Sequence, residues 1–226
     1  MKEKTILFIA TFLVIGAIVN GQTIAKPDSV VANEKARSQQ ENIESFLAKK
    51  ATYPKEGIMN SIQGDVVISF LITKDGKLDS ISIVSSPDIA LSASSIVAFN
   101  EVGYDWIPAR INNVPVDKRY LLVFRYRIYL DRQPTDYKMM ANKCLESQKY
   151  EKALKVYKRG IKDNPYDHQL FELRAKVKEM LGDMEGAKLD RSLSTDLKDK
   201  IMNIVDVTAK GFTRIVKTVS VTTRDY

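Results

Sequence analysis

Between Asp65 and Leu130 the spacing of apolar and polar residues predicts most of the regular structure. Asp65 to Thr73 and Leu78 to Ser85 alternate with the period of two that a half-buried strand shows, and Lys74-Asp75-Gly76-Lys77 lies between them. An Asp-Gly pair there predicts a tight hairpin with positive φ at both central residues. Ser86-Pro87-Asp88 ends the second strand and opens a helix. In that helix Ile89, Ala93, Ile96 and Val97 fall at i, i+4, i+7 and i+8, one apolar stripe expected to cover the sheet. Trp106-Ile107-Pro108-Ala109 and a polar turn at Asn112-Asn113 lead to a third strand, Tyr120 to Leu130. Its alternation puts Tyr120, Leu122, Phe124, Tyr126, Ile128 and Leu130 on one face and Arg125, Arg127 and Tyr129 on the other, so that one side packs and the other is solvated.

Upstream of the sheet, a short helix-like segment runs from Tyr53-Pro54 to Ile62, and strand periodicity begins after Gln63-Gly64. Residues 22–50 are polar and irregular, and only Ile43 to Leu47 suggests a packed helical turn, which makes this stretch a spacer with one short helix. Pro27 is the only proline before Pro54, so the spacer lacks the stiffness of a proline-rich linker. At the start, Lys2 and Lys4 precede an apolar run, Thr5 to Val19, that meets Asn20 and Gly21. As a helix the run would be about 22 Å long, short of a hydrocarbon core of ~30 Å. Residues 1–21 therefore read as a secretory signal peptide cleaved after Gly21, which predicts an exported mature chain. Retention of the segment would instead anchor the chain in the inner membrane, and membrane association depends on that retention.

From about Tyr137 the pattern becomes helical and repeats itself. Tyr137 and Phe171, Ala141 and Ala175, Tyr150 and Met184, and Ala153 and Ala187 are each thirty-four residues apart. Thr195 to Ala209 is expected to add a final capping helix, and residues 210–226, with Thr and Val alternating from Phe212 to Thr223, have the composition of a strand.

Composition narrows the function. The net charge of +7 arises from 35 Lys and Arg against 28 Asp and Glu with the signs interspersed, which gives no basic cluster for nucleic acid. Cys144 is the single cysteine and His168 the single histidine, and no Cys-x-x-Cys, His-Glu-x-x-His, phosphate loop or Gly-x-Ser-x-Gly occurs. The expectation is a protein that is not an enzyme, with no metal, no cofactor and no small-molecule substrate. His168 needs no chemistry beyond a helix-start position after Pro165-Tyr166-Asp167.

Several of these residues also carry a family resemblance. Tyr53-Pro54, Gly64-Asp65-Val66, Phe70, Asp75-Gly76, Trp106 with Pro108 and the final aromatic strand, in that order, resemble the C-terminal domain of TonB proteins over residues 51–131. The resemblance implies an α+β fold, a small three-stranded antiparallel sheet with helices, that grips segments of outer-membrane receptors by adding a strand to its sheet. If the last strand lies at the sheet edge, Tyr120, Leu121, Val123, Arg125, Arg127 and Tyr129 form the docking rail, because an exposed edge offers unpaired backbone groups. Tyr53, Pro54, Gly64, Asp75, Gly76, Trp106 and Pro108 serve as structural markers.

The thirty-four-residue period likewise resembles the tetratricopeptide repeat, with Leu145 to Ala153 similar to its inter-helix turn and Gly182-Asp183-Met184-Glu185-Gly186-Ala187 to the same turn in a second copy. Arg174, Lys178 and Arg191 stand where that family packs apolar residues. The resemblance implies an all-α array of helical hairpins over residues 134–209, in which Lys138 and Asn142 form half of a groove for a partner's terminal carboxylate. Together the two regions read as a periplasmic adaptor for protein partners, such as an outer-membrane receptor or an envelope complex. A membrane-anchored energy transducer for receptor-mediated transport is the alternative.

Overall fold

A computed structural model describes residues 33–129 and 134–210. The signal peptide expected over residues 1–21, Leu130 at the end of the third strand, and the Phe212 to Thr223 tail lie outside the described residues. Strands β3 (Gly64–Ile72) and β4 (Leu78–Ser85) form the expected hairpin, and β3 pairs on its other side with β8 (Lys118–Tyr129) in unbroken antiparallel register from Gly64↔Tyr126 to Ile72↔Lys118. The turn differs from the expected one in that only Gly76 has positive φ, at +74°. Three residues, Lys74 to Gly76, make the loop: Thr73 N–H donates to the Lys77 carbonyl at 2.9 Å and Gly76 N–H to the Thr73 carbonyl at 2.9 Å. A left-handed residue in the third position is what such a loop requires. A Cβ at Gly76 would also overlap the carbonyl oxygen of Trp106, whose N–H donates to the Gly76 carbonyl at 2.7 Å.

The core lies on one face of this sheet. Phe70 stacks at centroid distances of 4.9 Å on Phe99, 5.7 Å on Trp106 and 6.2 Å on Tyr120, all within reach of favourable tilted aromatic contacts. Helices α1 (Ile43–Lys50), α2 (Lys55–Met59) and α3 (Ile89–Asn100) surround it. Helix α3 buries Leu91, Ser95, Ala98 and Phe99, two residues along from the expected stripe, and Ile89 is 86% exposed. Both stripes obey the helical spacing. The observed one wins because Leu91 and Phe99 bury more apolar area than the alanine and β-branched residues of the other. The Asp88 carboxylate caps the helix by accepting from Ala90 N–H at 2.7 Å, which fixes where it starts.

The described part of the expected spacer belongs to the domain. Strand β1 (Asn33–Glu34) pairs with β6 (Ala109–Ile111), which also pairs with β7 (Val114–Val116), and β2 (Arg37–Ser38) pairs with β5 (Trp106–Ile107). Ala36 and Leu47 are buried in the core. Two-residue strands leave too short an alternation to be seen in sequence, which is why residues 33–50 look like linker.

Four helices follow, α4 (Tyr137–Glu146), α5 (Tyr150–Asp163), α6 (His168–Met180) and α7 (Met184–Lys200), each packed on the next. Ala141, Ala153, Ala175 and Ala187, the small residues of the thirty-four-residue period, are all buried. Gly160 on α5 lets the Tyr137 ring of α4 approach to about 3.0 Å of where a Cβ would sit. Arg174 and Lys178 answer to a buried carboxylate: Asp190, 1% exposed, accepts two hydrogen bonds from Arg174 at 2.8 and 2.6 Å and pairs with Lys178 at 3.0 Å.

The expected capping helix over Thr195 to Ala209 does not form. Helix α7 ends at Lys200, and the chain continues directly as β9 (Ile201–Lys210), which pairs with β8 in parallel from Leu121↔Ile201 to Tyr129↔Lys210. Ile201, Ile204, Val205, Val207 and Thr208 are β-branched, and Val205 and Val207 point into the apolar core as strand alternation demands. Among the described residues the sheet is therefore four-stranded and mixed, in the order β4-β3-β8-β9, where a three-stranded antiparallel sheet was expected. The helices form the crossover that any parallel connection needs.

Candidate strand-binding edge

Strand β8 divides the expected docking residues between two faces, and those from Leu121 to Tyr129 are paired with β9. The Tyr120 ring is buried in the core and its hydroxyl accepts from Ala36 N–H at 2.9 Å. Leu121 and Val123 face the other way, in a small cluster with Val67, Ile201, Ile204, Tyr166 and Leu197, so the face expected to be solvated is covered by the helices. The edge position assigned to Tyr120–Tyr129 is corrected on the same grounds: β3 holds one side of the strand and β9 the other. Burial of Val205 and Val207 on the core side of β9 fixes this arrangement.

Beyond the apolar cluster the same face becomes ionic. Arg125 donates from Nε to Asp206 Oδ1 at 2.5 Å and from its terminal nitrogen to Asp206 Oδ2 at 2.9 Å, a bidentate pair across the β8–β9 register, and also donates to Asn164. Burial works to lower the Arg125 pKa, but the Asp206 hydrogen bonds and charge, with Asp65 and Asp167, outweigh it and raise the value. Arg127 lies 2.9 Å from Asp65 Oδ1 and donates to the Asp163 carbonyl at 2.9 Å. Burial pushes the Asp65 carboxyl above its ordinary value despite that guanidinium, which opposes the shift. The two arginines, Tyr129, Tyr137, Lys162 and the carboxylates of Asp65, Asp163 and Asp206 line a cleft of about 750 Å³ between sheet and helices.

The other expected site lies on α4. Lys138 donates to Gln169 Oε1 at 2.5 Å and pairs with Asp167 at 3.0 Å, so its ammonium is engaged within the chain, while Asn142 is exposed. His168 is the first residue of α6, and its carbonyl accepts from the Ser194 hydroxyl at 2.9 Å. Burial lowers its pKa. No group of three metal-binding side chains occurs among the described residues.

Of the structural markers, Asp75 is exposed in the β3–β4 loop, and the others lie in or beside the core. The Tyr53 ring stands edge-on to Tyr126 at 5.2 Å, its hydroxyl donates to the Ile62 carbonyl at 2.6 Å, and burial pushes its pKa up to about 12. Pro54 precedes α2 as its N-cap, Gly64 opens β3 against the Pro87 ring, and Pro108 lies beside Gly76. What sequence reasoning missed is the partner set of β8: Asp206, Val205, Val207 and Asn164. Alternation over Ile201 to Thr208 was the available signal for the first three.

Comparison with known proteins agrees with the central region. Residues 49–128 match the family described as Gram-negative bacterial TonB protein C-terminal, a stretch well under half of the 226-residue chain. Among solved structures, the solution structure of the Helicobacter pylori TonB C-terminal domain (residues 179–285) is similar at 22% identity, covering 39% of this chain and 79% of that one, with a TM-score of 0.30. No curated protein matches the chain in sequence. The matched residues lie within a mixed α+β chain, and the four helices α4 to α7 and β9 lie beyond them.

Proposed function

We propose that the protein is a periplasmic adaptor of the Gram-negative envelope that binds protein partners through its TonB-like domain and its helical segment, and that it is not an enzyme. The observation that carries this reading is the family match over residues 49–128, whose markers Tyr53, Gly64, Gly76 and Trp106 fall at the joints of one folded core. The buried alanines of the helical period support a tetratricopeptide-like pair of hairpins, in which the Arg174–Asp190–Lys178 cluster takes the place of apolar packing. Exposed Met139, Met140, Met180 and Met184 give that segment adaptable apolar surface suited to protein contacts. No helix among the described residues is long and apolar enough to cross a membrane.

Cell fractionation with intact-mass analysis of the purified chain tests this reading. A mature chain beginning near Gln22 in the soluble periplasm is the expected result. An intact Met1 in the inner-membrane fraction would favour a TonB-type transducer for outer-membrane transport. A cytoplasmic chain would overturn both.

A further inference from the structure

The geometry points to β9 as a resident ligand: the free side of β8 is a strand acceptor that the chain fills with its own residues 201–210, and a partner segment of the same pattern enters by replacing them. This rests on the partner-binding reading above. The acceptor has three parts. Backbone groups of β8 from Leu121 to Tyr129 hold β9 in parallel register. Sites on the core side, formed with α1, take Val205 and Val207, which are completely or almost completely buried. On the opposite face the Arg125 guanidinium takes the carboxylate of Asp206 between them. The partner that fits is therefore an extended segment running parallel to β8 with an apolar–acidic–apolar triplet, the acid opposite Arg125.

Features of β9 suit it to exchange. Among the described residues it has β8 as its single strand neighbour, and parallel pairing is slightly weaker per residue than antiparallel. It follows α7 without a loop, so after release it stays near its site at high effective concentration and competes with any incoming strand. The opposite edge of the sheet is not an equivalent acceptor. Register shifts opposite Val67/Ile68 and Ser69/Leu71 and the positive φ of Ser80 break the outer row of β4, and its first residue, Leu78, is tied to Tyr104, with Lys77 just before it bridged to Asp105.

The test uses the full chain with Cys144→Ser, Tyr129→Cys and Lys210→Cys, which permits a disulfide across the far end of the β8–β9 pair, together with Asp206→Ala to weaken the resident strand. The probe is a fluorescent peptide of residues 201–210, followed by anisotropy. The reduced chain should bind it saturably, and the oxidised chain should not. A peptide carrying Asp206→Lys should bind at least roughly tenfold more weakly. Absence of binding to the reduced chain, equal binding to both forms, or indifference to Asp206→Lys would each overturn the proposal. Such a failure leaves the envelope adaptor standing on its helical surface, whereas a cytoplasmic location removes the adaptor without touching strand exchange.

Discussion

Strands β4 and β9 both end the sheet, but they are finished in opposite ways. β4 is register-shifted, carries a left-handed Ser80 and leaves Val84 55% exposed, whereas β9 keeps regular register beyond Leu122 and sinks Val205 completely into the core. An irregular edge discourages pairing by spoiling its row of donors and acceptors, and a filled edge discourages it by having none to spare. The first device is permanent. The second is reversible in principle, and it sets along the edge a pattern of side chains that a competitor must reproduce.

A charge placed on each edge gives the largest contrast. Val205→Asp should destabilise the protein by about 3 kcal/mol or more, because the carboxylate has no partner in the core. Val84→Asp should stay within about 0.5 kcal/mol. Urea unfolding of the two variants checks both, and similar losses would erase the distinction. Next in size, Gly76→Ala at the β4 hairpin should cost more than about 1 kcal/mol, since the left-handed backbone and the Trp106 carbonyl both resist a methyl group. The melt followed through the single tryptophan reports it directly.

A smaller effect separates the ionic from the apolar hold on β9. Asp206→Ala should cost about 1 kcal/mol, because its carboxylate is half exposed although bidentate, and the difference from the parent should shrink as salt rises. A salt-independent loss would assign the effect to packing. The smallest expected effect is a pH slope from Asp65. Its folded pKa is raised by burial, so the folded state keeps the proton to higher pH than the unfolded chain does. Stability from this group is present below the ordinary carboxylate range and is lost as pH rises through the raised value. Asp65→Asn should therefore flatten the stability profile across that window, and unchanged slopes in paired urea titrations would contradict the burial argument.

The legible parts of the fold were those where one local pattern dominates. Alternation in β3, β4 and β8 and the Asp75-Gly76 hairpin could be read because strand period and turn chemistry agree there. Helix α3 was placed correctly along the chain but rotated wrongly, since two stripes with the same spacing compete and the difference lies in what the sheet offers to Leu91 and Phe99. The two-residue strands β1 and β2 owe their conformation to β6 and β5 rather than to their own sequence. β9 was hidden for a different reason. Its β-branched residues were visible, but the repeat before it suggested one more helix, and parallel pairing across a four-helix crossover leaves no local signal. The Arg125–Asp206 pair follows from that pairing and was out of reach without it.

Hydrogen exchange of the full chain, read peptide by peptide, tests most directly the claim that β9 fills the free side of β8. The amides of Ile204 to Val207 should be protected to a degree approaching β3 and well above the outer positions of β4. Exchange of residues 201–210 at the rate of an unstructured segment, with β8 protected on one side only, would contradict it.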